Sequence, residues 1–222
     1  MEPEDLERCK ELCRYDEFMG TALEIGETDQ KALEDFIPEI MEMVVGREEK
    51  DPVEMYEGLI DDLAEKWPAS PQLPVHGGWH HFIVPGIILA VLRNNGYDFT
   101  DEDVREAMKR GAMLPGGACG FHGICGAGTG LGIAMSIVHR STPLHQEERS
   151  APMEAASEVF RRIAKLGGPR CCVLSTYTTL NMAVRELREL GYEIPLSHLP
   201  GRCPYYLENE ECHGKDCPYY PR

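Results

Sequence analysis

The sequence predicts a mostly α protein, a compact helical core followed by a short irregular Cys-rich C-terminal tail. Three observations carry that prediction. Apolar residues recur at helical spacing through most of the 222 residues. Strand-like alternation is scarce. In the last 25 residues the periodicity stops, and Cys, Pro, Tyr and Gly take over, with CPYY at 203–206 and again at 217–220.

The elements follow in order. Leu33, Phe36, Ile37, Ile40, Met41 and Val44 keep helical spacing and close at Gly46. Val53, Tyr56, Leu59, Ile60 and Leu63 repeat the pattern before the breaker run WPASPQLP, whose prolines at 68–74 mark a loop. Phe82 to Arg93 is apolar nearly all round and therefore central to the core. Thr100 with Asp103 has the form of a capping box opening a helix to Arg110. GAGTGLGIAMSI reads as a closely packed small-residue helix. Ser150 before Pro152 opens the next, with Met153, Val159, Phe160, Ile163 and Leu166 on its buried side. A last helix starts near Pro169 and ends before Gly191, burying Leu180, Val184, Leu187 and Leu190. The organisation expected is a helical N-terminal segment over 1–50, a helical core over 51–197 and a metal-dependent tail over 198–222.

Composition narrows the function. Apolar residues make up 42% and charged residues 27%, as in a soluble globular protein. A formal net charge of −16 disfavours nucleic acid and anionic membrane as partners. The N-terminus MEPEDLERCKELC has no signal-peptide core, and Phe82–Leu92 is too short to span a bilayer. The expected location is cytoplasmic, where thiols stay reduced. Clustered cysteines there point to metal or catalysis rather than disulfides.

Seven of the nine cysteines are clustered. Cys203-x8-Cys212-x4-Cys217 sits in a segment with too little apolar surface to repay its ordering entropy unaided. Three thiolates there would hold Zn²⁺ with a fourth ligand from His198, His213 or a cysteine elsewhere. The spacing is similar to the first three ligands of CCCH zinc fingers but differs by one residue, and no histidine follows Cys217, so RNA binding is not carried over. CGFHGIC places Cys119 and Cys125 six apart among glycines that let backbone approach a bound group. The plain alternative is a packed helix with two buried cysteines. The following glycines do not complete a dinucleotide-binding fingerprint, because Leu131 stands where glycine is required and no strand precedes them. In GGPRCC, Cys171 and Cys172 open a helix, where the macrodipole and Arg170 favour thiolate. VHGGWHHF brings His76, His80 and His81 within six residues as ligands or proton carriers. The glycines place His76 and His80 on a loop and His81 at the start of the apolar helix.

DPVEMYEGLI, VHGGWHHFIVPGIILAVLRNNG, RGAMLPGGACGFHGICGAGTGLGIAMSI, TPL, GGPRCC and the CPYY…ECHGKDCP tail, in this order over about 51–217, resemble the domain-of-unknown-function family numbered 5714 of methanogenic archaea and anaerobic bacteria. The resemblance implies a protein of an anaerobe, in some cases linked to radical or methyl-transfer enzymes. It also implies an N-terminal cysteine–histidine module, of which only Cys9 and Cys13 remain here, and these are assigned no metal. The glycine-flanked Cys119–Cys125 segment is loosely similar to stretches of iron–sulfur dehydratases and desulfidases.

The sequence therefore leads to a metal-binding protein of anaerobic metabolism. Cys119, Cys125 and one of Cys171 or Cys172 would hold an iron–sulfur cluster of the [4Fe–4S] type, leaving one iron open to a small sulfur-containing substrate. His76, His80 or His81 would move the proton. Zinc is the alternative, or an additional ion in the tail. Two other classes stay open: a zinc-stabilised helical module that binds another protein, and a cluster-free thiol enzyme with Cys171 or Cys172 as nucleophile.

Overall fold

The computed structural model describes residues 35–67 and 75–222, and among these the chain forms eight α-helices and no strand. Cys9, Cys13, Leu33 and the proline run at 68–74 lie outside the described residues. The helices are α1 (35–45), α2 (Pro52–Lys66), α3 (Trp79–Asn94), α4 (Asp101–Ala112), α5 (Ala118–Phe121), α6 (Gly126–Val138), α7 (Gln146–Leu166) and α8 (Cys172–Glu189). Two 3-10 turns, Tyr205–Leu207 and Gly214–Asp216, interrupt the otherwise irregular tail. No described helix is long and apolar enough to cross a membrane.

α3 is the axis of the fold. Every residue from Trp79 to Leu92 is buried, and α2, α4, α6 and α8 pack around it. A helix that is apolar on all sides can only be stable when surrounded in this way. Pro85 lies within it and cannot donate to the His81 carbonyl one turn back. Gly111 of α4 covers that carbonyl so closely that a Cβ there would stand 2.4 Å from the oxygen. The proline of one helix and the glycine of the next thus fit together at one crossing.

Local chemistry sets the boundaries. The Asp51 carboxylate accepts from the Val53 and Glu54 amides and starts α2. Thr100 and Asp103 form the reciprocal capping box of α4. Asn94 at the end of α3 donates to the Arg47 and Glu49 carbonyls, fixing the α1–α2 connection.

Four details differ from the sequence reading. α3 starts at Trp79, so His80 as well as His81 is helical. α7 starts at Gln146, one turn before Ser150, and holds Pro152 on its buried side. Met153 of α7 is exposed, because the helix contacts the bundle along a narrow line through Pro152, Ala155 and Val159. α8 starts at Cys172 rather than near Pro169, with Cys171 as its N-cap, and Leu190 at its end is exposed.

Candidate functional site

The chemistry-bearing residues gather at one end of the bundle, where the N-termini of α3, α6 and α8 meet. A Cβ on Gly126, first residue of α6, would fall 2.0 Å from the His81 ring at the start of α3. His80 Nδ1 lies 3.1 Å from Thr176 Oγ1 in the first turns of α8, and His76 Nδ1 accepts the Cys172 amide at 3.3 Å. Three helix N-termini bring their positive dipole ends to one region, which favours negative charge there.

Cys171 and Cys172 divide between two sets of thiols. The Cys171 side chain turns to the tail and lines one cavity with Cys203, Cys212 and Cys217, beside Leu174, Asn209 and His213. Its volume is about 10 Å³, space for one atom-sized body. Each of the four sulfurs accepts a backbone N–H. Cys171 Sγ takes the Leu174 amide at 3.4 Å, Cys212 the Gly214 amide at 3.4 Å and Cys217 the Tyr219 amide at 3.4 Å, while Cys203 takes that of Tyr205. Asn209 Nδ2 adds a second donor to Cys171 at 3.5 Å. The two CPYY segments pair with each other through Cys203 N to Tyr219 O at 2.8 Å, and in both the tyrosine two residues on caps the cysteine sulfur. Among the described residues no group of three or more His, Cys, Asp or Glu side chains is placed to hold a metal ion, so the four sulfurs share a cavity without forming a ligand shell.

The Cys172 thiol faces the other way. Cys125, Cys171 and Cys119 are its electrostatic neighbours, in that order, and the Gly77 amide donates to its sulfur. Cys125 is the N-cap of α6, and Ile124 N bonds back to Ala118 O at 3.3 Å, folding the loop so that Cys119 comes near. Positive φ at Gly117 and Gly123 permits that fold. Cys119 is exposed, whereas Cys125 and Cys172 are partly buried.

Burial overrides the helix dipole in setting these thiols. It pushes Cys172 up to about 12 and raises Cys171, where the sequence led us to expect an activated thiolate. Cys203 is likewise pushed up to about 12 by burial, and Cys217 is raised for the same reason. Arg170 is spent on Glu211, at 3.1 Å. The histidines are kept neutral: burial lowers His76 and His81 and takes His80 down to about 3. His80 is enclosed, with Nε2 3.3 Å from the Val75 carbonyl, and His81 Nδ1 lies 3.3 Å from that of Leu114. His76 is the connecting histidine. Its Nε2 lies 2.9 Å from Asn209 Oδ1 and 3.4 Å from Glu211, so Asn209 links the Cys171 sulfur to the histidine that accepts from Cys172.

The tail is held by residues that the sequence did not single out. Arg202 forks onto Glu57 of α2 at 2.7–3.1 Å, and Glu57 also accepts from the Tyr177 hydroxyl at 2.7 Å. Tyr219 OH meets Thr178 at 3.0 Å, and its ring stands edge-on to Tyr177 at 5.3 Å. His213, one of the expected fourth ligands, points its Nε2 at the Pro169 carbonyl, 2.6 Å away. Only the repeated CPYY signals any of this in the sequence. Glu57, Tyr177 and Asn209 look like ordinary helix or loop residues.

No curated protein and no solved structure matches the chain. The model of one family, described as a family of unknown function (DUF5714), matches residues 40–220, which covers both thiol sets and the helices that carry them, and the chain belongs to that family.

Proposed function

We propose that this protein binds a single metal ion, zinc, through Cys171, Cys203, Cys212 and Cys217, and that the ion staples the tail to the N-terminus of α8. The observation that carries the reading is the shared cavity of four thiols, each already accepting a backbone N–H. Such donors stabilise thiolate, which is the form that binds metal, and they orient the sulfur lone pairs. Zinc takes tetrahedral thiolates at about 2.3 Å, which sets sulfurs about 3.8 Å apart. The small cavity has room for one ion. Binding draws the four side chains inward and releases their protons, so the last step of tail docking is coupled to the metal.

The fourth ligand gives the ion its leverage. Cys171 belongs to a core helix and the other three to the tail, so the ion crosslinks segments that otherwise meet through aromatic packing and the Glu57–Arg202 pair. Docking the tail also sets Asn209 against His76 and so shapes the neighbouring Cys172 site.

The test is metal content of the full chain purified under reducing conditions. About one zinc per chain is expected, lost in Cys171→Ser and kept in Cys172→Ser. Cobalt substitution should give the intense sulfur-to-metal charge-transfer bands of a tetrathiolate. Zinc at wild-type level in Cys171→Ser, or no bound metal in the wild type, refutes the assignment.

A further inference from the structure

A cavity of about 410 Å³ lies at the opposite end of α8 from the thiols. The first half of α7 runs beside the last turn of α8, and the cavity is the groove left between them. Its floor is apolar: Met135 of α6 and Ala155 of α7 are buried beneath it, with Ala151 beside them. Its walls are acidic. Glu154 and Glu158 stand one turn apart on α7, and Glu186 and Glu189 stand one turn apart on α8. Glu158 is paired with Arg161 and, at 3.3 Å, with Arg162. Glu154, Glu186 and Glu189 form no ion pair among the described residues, and His139 is the one basic side chain in the lining.

We infer that this groove is the docking surface for a basic amphipathic helix of a partner protein, which lays Lys or Arg side chains between the two acidic walls and an apolar side chain on the floor. Charge and extent both point to it. Like charges one turn apart on a helix repel, and here two such pairs line a single groove. Burial and the neighbouring Glu189 push the Glu186 carboxyl up, against the pull of Arg185 and Arg162. Cations in the groove relieve that repulsion. Along α7 the groove runs about 10 Å (7 × 1.5) from Ala151 to Glu158, the length of two turns of a partner helix. The apolar surface extends past it. Leu190 on the rim, with Leu144 and Met153 at the same end of the helix pair, are three of the six large hydrophobic side chains exposed among the described residues. A small polycation would leave these in water, whereas a helix with one cationic and one apolar face covers both kinds of surface. The acidic walls and the net charge of −16 repel a second copy of this chain, an anionic membrane and nucleic acid.

The groove lies away from the tail, so its test is independent of the zinc assignment. The probe is a fluorescein-labelled Leu–Lys peptide of about 18 residues with its leucines on one helical face, titrated into the full chain and followed by fluorescence anisotropy. Binding should saturate at one peptide per chain and weaken as salt screens the glutamates. Glu154→Lys/Glu189→Lys, at two exposed positions, should weaken it about tenfold or more. Glu48→Lys/Glu65→Lys makes the same change in net charge at exposed positions that do not line the groove, and should weaken it about twofold at most. Leu190→Gln should weaken it several-fold and leave its salt dependence unchanged. Thermal melts of each variant check that the fold is kept. Equal weakening in the two double variants means that the peptide reads net charge alone and overturns the inference. So does the absence of binding to the wild type, or undiminished binding to Glu154→Lys/Glu189→Lys. A Lys–Ser peptide of equal charge that binds as tightly as the Leu–Lys peptide overturns the amphipathic partner in favour of a plain polycation.

Discussion

Replacing Gly126 with alanine puts a methyl group where the His81 ring lies. The added Cβ would stand 2.0 Å from Cδ2, 2.4 Å from Cγ and 2.5 Å from Nε2, whereas ordinary contact begins near 3.4 Å, so the ring must retreat by about 1.4 Å (3.4 − 2.0). It has little room to do so. His81 is 9% exposed and is held by its contact with the Leu114 carbonyl. Overpacking of this kind costs about 1–3 kcal/mol, and the lost hydrogen bond about 1 kcal/mol more. Alanine returns at most about 1 kcal/mol through its helix preference. The balance is a destabilisation of about 2 kcal/mol, or about 4–8 °C in melting temperature for a chain of this size. Thermal melts followed by circular dichroism measure it, with Gly120→Ala as the comparison. A Cβ at Gly120 meets nothing within 4 Å, and that variant should stay within about 0.5 kcal/mol of wild type. A Gly126→Ala protein as stable as wild type, alongside a neutral Gly120→Ala, would refute the close packing of α3 on α6 at the site.

His80 makes stability depend on pH. Its folded value of about 3 lies below the ordinary 6.5, so above pH 6.5 both states are neutral and its contribution is complete. As pH falls from 6.5 toward 3, only the unfolded chain takes the proton, and up to about 5 kcal/mol (3.5 × 1.36) is lost. Urea titrations at pH 7 and pH 4.5 should show a smaller acid loss for His80→Gln, by about 2 kcal/mol, and equal losses in both proteins would count against the burial of a neutral ring. Glu57→Gln removes the charge that Arg202 and Tyr177 share. With the Arg202 and Glu57 side chains 33% and 19% exposed, solvent screening holds the cost to about 1–2 kcal/mol. The variant should be cut by trypsin after Arg202 several-fold faster than wild type, and unchanged cutting would mean that the tail is held without this pair.

The helices were legible because their signals are local. The Thr100–Asp103 box and the unbroken apolar face of α3 each lie within one segment, and the structure reproduces them. Met153 was misplaced because helical spacing reports that a face is apolar, not how wide a contact the neighbouring helices leave for it. The thiol chemistry was half legible. Clustering singled out the tail cysteines, but the residue that shares their cavity, Cys171, lies 32 residues before Cys203 (203 − 171), at a separation no spacing rule can read. The electrostatic expectation for Cys171 and Cys172 also went astray for a physical reason. A helix dipole acts on a thiolate only when the site stays wet, and here the tail and the α3 histidines exclude water, so desolvation dominates.

Why one dipeptide faces two sites follows from helix geometry. Cys171 is the N-cap, still in extended conformation, and Cys172 is the first helical residue. Successive residues on an α-helix are about 100° apart around the axis, and the change of backbone conformation at the cap turns them further. Two adjacent thiols at this position therefore diverge, Cys171 into the tail cavity and Cys172 away from it. The tail meets the core at Cys171 through the shared cavity, whereas Cys119, Cys125 and Cys172 sit at the starts of α5, α6 and α8. What the tail adds to the inner set is Asn209 against His76, and through it a fixed histidine at the Cys172 amide. Loosening the tail should therefore disturb the inner thiols through that histidine before it disturbs the helices that carry them.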